Sequence, residues 1–129
     1  MKINHIAIWV RDIEIMRAFF MKYFNMNSTE KYTNAAKQYT SYTLSFDDMG
    51  ACIELMHKPS VEAFEGSRGV QTGLAHIAIS LGCKEKADEL TEVLRKDKYI
   101  IAGEPRITGT GSYESIVLDP EGNRIEITV

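Results

Sequence analysis

The chain has only two cysteines, Cys52 and Cys83, and they stand in no metal-ligand or redox spacing. That excludes a disulfide-stapled scaffold and a cysteine zinc site, and it points to reduced thiols in a cytoplasmic protein. Charge of one sign is not in excess. Fifteen Lys and Arg stand against 18 Asp and Glu, a formal net charge of −3, so there is no electrostatic case for nucleic acid or an anionic membrane as partner. No apolar run approaches the roughly 18 residues that a membrane-spanning helix needs. No signal-peptide core follows Met1-Lys2-Ile3-Asn4-His5. Low-complexity stretches and a phosphate-binding loop signature are also missing. What is present is ordinary for a globular domain, with 44% hydrophobic and 26% charged residues over 129 positions. That length suits one domain, or two half-size modules sharing a core.

The most informative feature is an internal repeat. His5-Ile6-Ala7-Ile8 recurs as His76-Ile77-Ala78-Ile79. Phe46-Asp47-Asp48-Met49-Gly50-Ala51-Cys52-Ile53-Glu54-Leu55 lines up with Leu118-Asp119-Pro120-Glu121-Gly122-Asn123-Arg124-Ile125-Glu126-Ile127. The second alignment is displaced by one residue relative to the first, a single insertion. Each copy therefore carries a His near its start and a Glu about 50 residues later. Gly66, Gly69 and Gly73 make residues 59–73 the natural linker between a module at 1–58 and another at 74–129.

Each copy reads as strand, helix and three strands, an α+β pattern of two tandem βαβββ modules. Residues 3–10 alternate as a strand. Residues 12–24 place Ile13, Met16, Phe19, Phe20, Tyr23 and Phe24 at helical spacing, with Asp12 as N-cap. Strands are expected at 28–33, 39–46 and 51–57. In the second copy a strand at 74–81 precedes a helix at 84–98 with Ala87, Leu90, Val93 and Leu94 inward. Strands at 100–107, 113–118 and 124–129 complete it. Residues 47–50 and 119–123 read as hairpin turns with glycine where positive φ is needed. The polar loop at 108–112 reads as a plain hairpin connection, although its composition would also suit a cover over a cleft.

Successive side chains on a strand point to opposite faces, so parity assigns each residue a side. Ile6, Ile8 and Val10 oppose His5, Ala7 and Trp9; Ile53 and Leu55 oppose Cys52, Glu54 and Met56. The second copy sets Ile77, Ile79 and Leu81 against His76, Ala78 and Ser80, and Ile125, Ile127 and Val129 against Arg124, Glu126 and Thr128. The aliphatic faces belong under the helices. His5, Glu54, His76 and Glu126 then all lie on the faces turned away from them. A mid-strand Glu between aliphatic neighbours needs a partner, because burying a bare carboxylate costs several kcal/mol. Two imidazoles and two carboxylates suit a divalent cation such as Ni, Co, Zn, Mn or Fe(II) better than Mg or Ca. A lone strand His or Glu is ordinarily a solvated residue; the repetition in register is what argues for ligands. His57 shares parity with Ile53 and Leu55 and reads as structural, Cys52 and Met56 as wall. Trp9 serves either core packing or a pocket wall.

These residues resemble the vicinal oxygen chelate superfamily, the Asp119-Pro120-Glu121-Gly122-Asn123 turn before Glu126 being especially typical of it. The resemblance covers the whole chain. It implies the glyoxalase/bleomycin resistance/dihydroxybiphenyl dioxygenase-like fold, with helices outside and a mixed sheet forming a metal-containing cleft. The set His, Glu, His, Glu is similar to that of glyoxalase I (lactoylglutathione lyase), which isomerises the hemithioacetal of methylglyoxal and glutathione. Fosfomycin-modifying and extradiol dioxygenase relatives typically present three protein ligands, and methylmalonyl-CoA epimerase relatives usually have Gln where Glu54 stands. The resemblance implies one Ni, Co or Zn per site, Glu126 as the base and Glu54 as its counterpart. It also implies a small-molecule substrate and a homodimer whose sites lie within one chain or are shared between subunits. Glutathione-using members usually carry Arg four residues after the first ligand and Asn shortly after the second. Here Trp9 and Lys58 occupy those places. Lys58 can hold an anion, whereas Trp9 cannot replace a guanidinium fork, and Arg106, Arg68 and Arg124 are the available substitutes. Another superfamily metalloenzyme (epimerase, resistance transferase or oxygenase) and a sequestering small-molecule binding protein are the alternative readings.

Overall fold

Asp12 starts the first helix by accepting hydrogen bonds from the backbone N–H groups of Glu14 and Ile15, both at 3.0 Å. Such a cap contributes about 1 kcal/mol. The helix, α1 (Ile13–Phe24), ends at Asn25, whose left-handed φ of 52° turns the chain out. Ile13, Met16, Phe19, Phe20 and Phe24 form its buried stripe, and the Phe19 and Phe20 rings meet edge-on at 5.3 Å. Each of these large side chains contributes roughly 1.5–3 kcal/mol through burial. The structure is a computed structural model and describes residues 1–47 and 50–129. The turn expected at 47–50 includes Asp48 and Met49, which lie outside the described residues.

Under α1 lies a mixed sheet of β1 (His5–Trp9), β2 (Asn27–Ser28), β3 (Tyr32–Asn34), β4 (Tyr39–Ser45) and β5 (Cys52–His57). β1 pairs parallel with β5; β4 pairs antiparallel with β5 and with both β2 and β3. The single strand expected at 28–33 is thus two short ones, both on the same edge of β4. A one-turn 3-10 helix, Ala35–Lys37, joins β3 to β4, capped by Asn34 and closed by Gln38 at φ 49°. Ile8, Val10, Tyr42, Leu44, Ile53 and Leu55 are buried on the α1 side.

The second sheet repeats the plan with β6 (Ile77–Ser80), β7 (Ile101–Ile107), β8 (Tyr113–Leu118) and β9 (Arg124–Thr128), in the order β6-β9-β8-β7. β6 pairs parallel with β9, and the other pairings are antiparallel. α2 (Lys84–Lys96) packs on β8, β7 and β9. Two expectations need correction here. Its inward stripe is Ala87, Thr91 and Leu94, while Leu90 is half-buried and Val93 is 40% exposed. Thr91 was missed because a hydroxyl reads as polar. It is buried by donating to the carbonyl of Ala87 and pairing with the Ser115 hydroxyl at 2.6 Å. The strand expected at 74–81 is shorter, and His76 stands one residue before it.

The chain forms two compact units, Met1–Glu65 and Gly66–Val129, the division falling within residues 59–73. Both units combine one helix with one mixed sheet, an α+β architecture of duplicated βαβββ type. Among the described residues no helix is long and apolar enough to cross a membrane. The turn after β8 is locked by Asp119, whose Oδ1 accepts from the backbone N–H groups of Glu121 and Asn123, and Oδ2 from the Asn123 amide. Burial pushes the Asp119 carboxyl up, against the pull of these donors. Gly122 supplies the φ of 82° that the turn needs. Residues 108–112 form a closed hairpin turn, with the Thr108 N–H bonded to the Ser112 carbonyl at 2.8 Å.

Candidate functional site

Pairing of β1 with β5 sets Ala7 beside Glu54 and His5 beside Cys52. His5 and Glu54 are therefore diagonal neighbours on the face away from α1, with Nε2 and Oε2 3.6 Å apart. Each is braced by a side chain. The Asn4 amide oxygen lies 2.8 Å from His5 Nδ1; an amide oxygen can only accept, so Nδ1 carries the hydrogen and the Nε2 lone pair is free to bind. Tyr39 donates its hydroxyl to Glu54 Oε1 at 3.0 Å, which leaves Oε2 towards His5. Burial pushes the Tyr39 phenol up, and the bond to Glu54 adds to the effect.

The second unit repeats the register. Ala78 lies beside Glu126, His76 comes two residues earlier, and its Nε2 is 3.2 Å from Glu126 Oε2. The surroundings differ. Glu126 has 13% of its side chain exposed against 26% for Glu54. Burial pushes its carboxyl up, His76 opposes this, and the neighbouring Glu114 carboxylate reinforces it. Glu114 itself is buried on β8 and pairs with the Arg106 guanidinium at 2.7 Å. β7 is irregular between Gly103 and Arg106. A Cβ at Gly103 would come within 2.7 Å of Arg106 Nη1, so the guanidinium crosses the strand where there is no side chain to obstruct it.

Within each unit the structure thus brings together one His and one Glu of the sequence-derived set. Among the described residues, no group of three or more His, Cys, Asp or Glu is gathered as metal ligands. Trp9 lies on the same face as His5 and is 41% exposed. With Lys58 it lines a pocket of about 320 Å³ completed by Tyr32, Asn34, Lys37 and Tyr39. Arg106 is engaged by Glu114, and Arg68 donates to the Asn123 amide oxygen at 3.3 Å. The His57 ring bonds the Val10 carbonyl at 3.0 Å, tying the end of β5 to the end of β1. Asn4, Tyr39 and Glu114 were not singled out from sequence. None has a counterpart in the other copy, and duplication was the signal that marked the rest.

Fold and paired His–Glu side chains together define a duplicated α+β protein with a potential ligand pair in each half. The chain belongs to the Glyoxalase/Bleomycin resistance protein/Dioxygenase superfamily, whose sequence model matches residues 2–127. No curated protein gives a significant sequence match. Among solved structures, the trypanothione-dependent glyoxalase I of Leishmania major superposes with a TM-score of 0.78 at 23% identity, covering 99% of this chain and 86% of that one. Glyoxalase I of Zea mays gives 0.78 at 22% identity, covering 98% of this chain but 44% of the maize protein. The present chain therefore spans less than half of the maize enzyme. A glyoxylase/bleomycin resistance protein/dioxygenase domain from a Frankia species gives 0.83 at 15% identity, covering 100% and 97%. At these identities the likeness is one of fold.

Proposed function

We propose that the protein is a metal-dependent, glyoxalase I-like isomerase or lyase. Its substrate is a small oxygen-chelating molecule such as the hemithioacetal of methylglyoxal and a thiol. One divalent cation (Ni, Co or Zn) is held by His5, Glu54, His76 and Glu126, in a homodimer. The observation that carries the reading is the same His–Glu pair, in the same strand register, in both units. Two donors about 2.1 Å from a common ion lie roughly 3–3.4 Å apart. The His76–Glu126 separation of 3.2 Å falls in that span, and the 3.6 Å of His5–Glu54 needs only a small side-chain adjustment. The donor set, two imidazoles and two carboxylates, fits such an ion.

When bound, the cation supplies Lewis-acid polarisation of the substrate oxygens, which acidifies the adjacent carbon. The chain supplies the proton transfer. Glu126, with its carboxyl raised by burial and by Glu114, is the better matched of the two carboxylates to take a proton from carbon and return it to the neighbouring atom. Glu54, held by the Tyr39 hydroxyl, is the more fixed counterpart. Trp9 and Lys58 stand where glutathione-using relatives carry Arg and Asn, which favours a thiol other than glutathione.

Elemental analysis of untagged protein after chelation and reconstitution with Ni, Co, Zn or Mn tests the reading. About one metal per chain is expected, lost in His76→Ala and in Glu54→Ala, together with turnover of methylglyoxal in the presence of one of several thiols. Absence of bound metal under every condition would overturn it.

A further inference from the structure

The pocket beside Glu54 belongs entirely to the first unit, and its lining describes a ligand. Three aromatic rings run in a row. Trp9 meets Tyr39 edge-on with centroids 6.2 Å apart and planes at 85°. Tyr39 meets Tyr32 at 6.1 Å and 62°. Trp9 and Tyr32 remain 41% and 56% exposed, so their ring surface is open to a guest. Such rings favour another flat π-system, which stacks or meets them edge-on and gains about 0.5–1.5 kcal/mol beyond the area it buries.

The two cations in the lining are Lys37 and Lys58. Among the described residues neither ammonium forms an ion pair with a carboxylate, unlike Lys31, which is bound to Glu14 at 2.8 Å. Asn34 uses its amide oxygen to cap the 3-10 turn, accepting from the Lys37 N–H at 3.1 Å. Its amide N–H groups are not used by that bond, and Asn34 is part of the pocket lining. The polar lining is thus a set of donors and positive charges: it selects an anion. At about 320 Å³ the pocket sits at the small end of ligand sites. Tyr39 is shared between the pocket wall and the Glu54 carboxylate, so the pocket adjoins that carboxylate.

We propose that the pocket of Trp9, Tyr32, Tyr39, Asn34, Lys37 and Lys58 anchors substrate by binding a small anion with a flat unsaturated body, an aromatic carboxylate in chemical class. The ring lies against the aromatic row and the carboxylate lies between the lysines. For the reacting end of the molecule the inference rests on the reading above; for the anchoring it rests on the pocket alone.

Trp9 is the single tryptophan of the chain, so its fluorescence reports occupancy directly in metal-free protein. Benzoate is the probe, with benzamide, cyclohexanecarboxylate and glutathione as comparisons. Expected is a saturable change in Trp9 emission with benzoate, at least tenfold weaker affinity for the three comparison compounds, and at least tenfold weaker benzoate binding in Lys37→Gln/Lys58→Gln. Lys37 is exposed and Lys58 half-buried, and an unchanged far-UV circular dichroism spectrum confirms that the variant is folded. No saturable response to benzoate up to millimolar concentration, equal binding of benzamide or cyclohexanecarboxylate, tighter binding of glutathione, or an unaffected double variant would each overturn the proposal. A protein that binds benzoate but no metal fails the enzymatic reading alone. One that binds metal and ignores benzoate fails this inference alone.

Discussion

The two units present the same His–Glu pair in two settings. In Met1–Glu65 the pair is braced: Asn4 orients the His5 ring and Tyr39 holds one oxygen of Glu54, with an aromatic and cationic pocket alongside. In Gly66–Val129 the pair is more enclosed, and the side chain next to Glu126 is another carboxylate, Glu114, with Arg106 behind it. A hydroxyl that donates to a carboxylate restrains it, whereas a carboxylate neighbour and burial make it a stronger base. Duplication kept the His–Glu pair, and divergence around it set a hydroxyl donor beside the carboxylate in one half and a second carboxylate beside it in the other.

Exchanging the two glutamates for glutamine gives the sharpest separation. Glu126→Gln is expected to cost about 10²–10⁴ in turnover, the usual contribution of a positioned acid–base group, with a smaller loss of metal. Glu54→Gln is expected to lose less activity per metal bound. Steady-state rates on metal-quantified protein decide it, and equal losses would erase the distinction between the halves.

A smaller effect is expected from the brace. Tyr39→Phe removes the hydroxyl behind Glu54 and should weaken metal binding about 10–100-fold, the range for groups that orient a ligand. Competition with a fluorescent chelator measures it. An affinity unchanged from the parent would mean that Glu54 needs no orientation.

The smallest change is one of pH. Glu126 is raised first by burial and then by the charge of Glu114, so Glu114→Gln should lower its pKa while leaving the burial contribution in place. A base must be deprotonated to act, so the acidic limb of the rate–pH profile should move to lower pH in that variant. A shift to higher pH, or none, would show that Glu114 does not raise the Glu126 carboxyl.

Much of the fold could be read directly. Asp12 before an apolar stripe at helical spacing marks α1, and strict alternation around His5, Glu54 and Glu126 assigns their faces, because both periodicities are properties of the local backbone. The inward stripe of α2 was misread at Val93 and Thr91, since hydropathy ranks valine above threonine. A hydroxyl with two partners, Ala87 and Ser115, is nevertheless inexpensive to bury. The strand split between β2 and β3 was equally invisible, because it follows from two short segments competing for one edge of β4.

By itself the sequence determined the duplication, the helix and strand types, and the pairing of one His with one Glu on the outward face of each half. Repeat spacing and side-chain parity are enough for that. Only the tertiary structure decided which side chains stand behind those pairs. Tyr39 reaches Glu54 through the register of β4 against β5, Arg106 reaches Glu114 across the glycine of an irregular β7, and Tyr32 meets Tyr39, whose ring also meets Trp9, because β3 folds back along β4. Such neighbours are set by hydrogen-bond register between strands distant in the chain, for which no local periodicity leaves a mark.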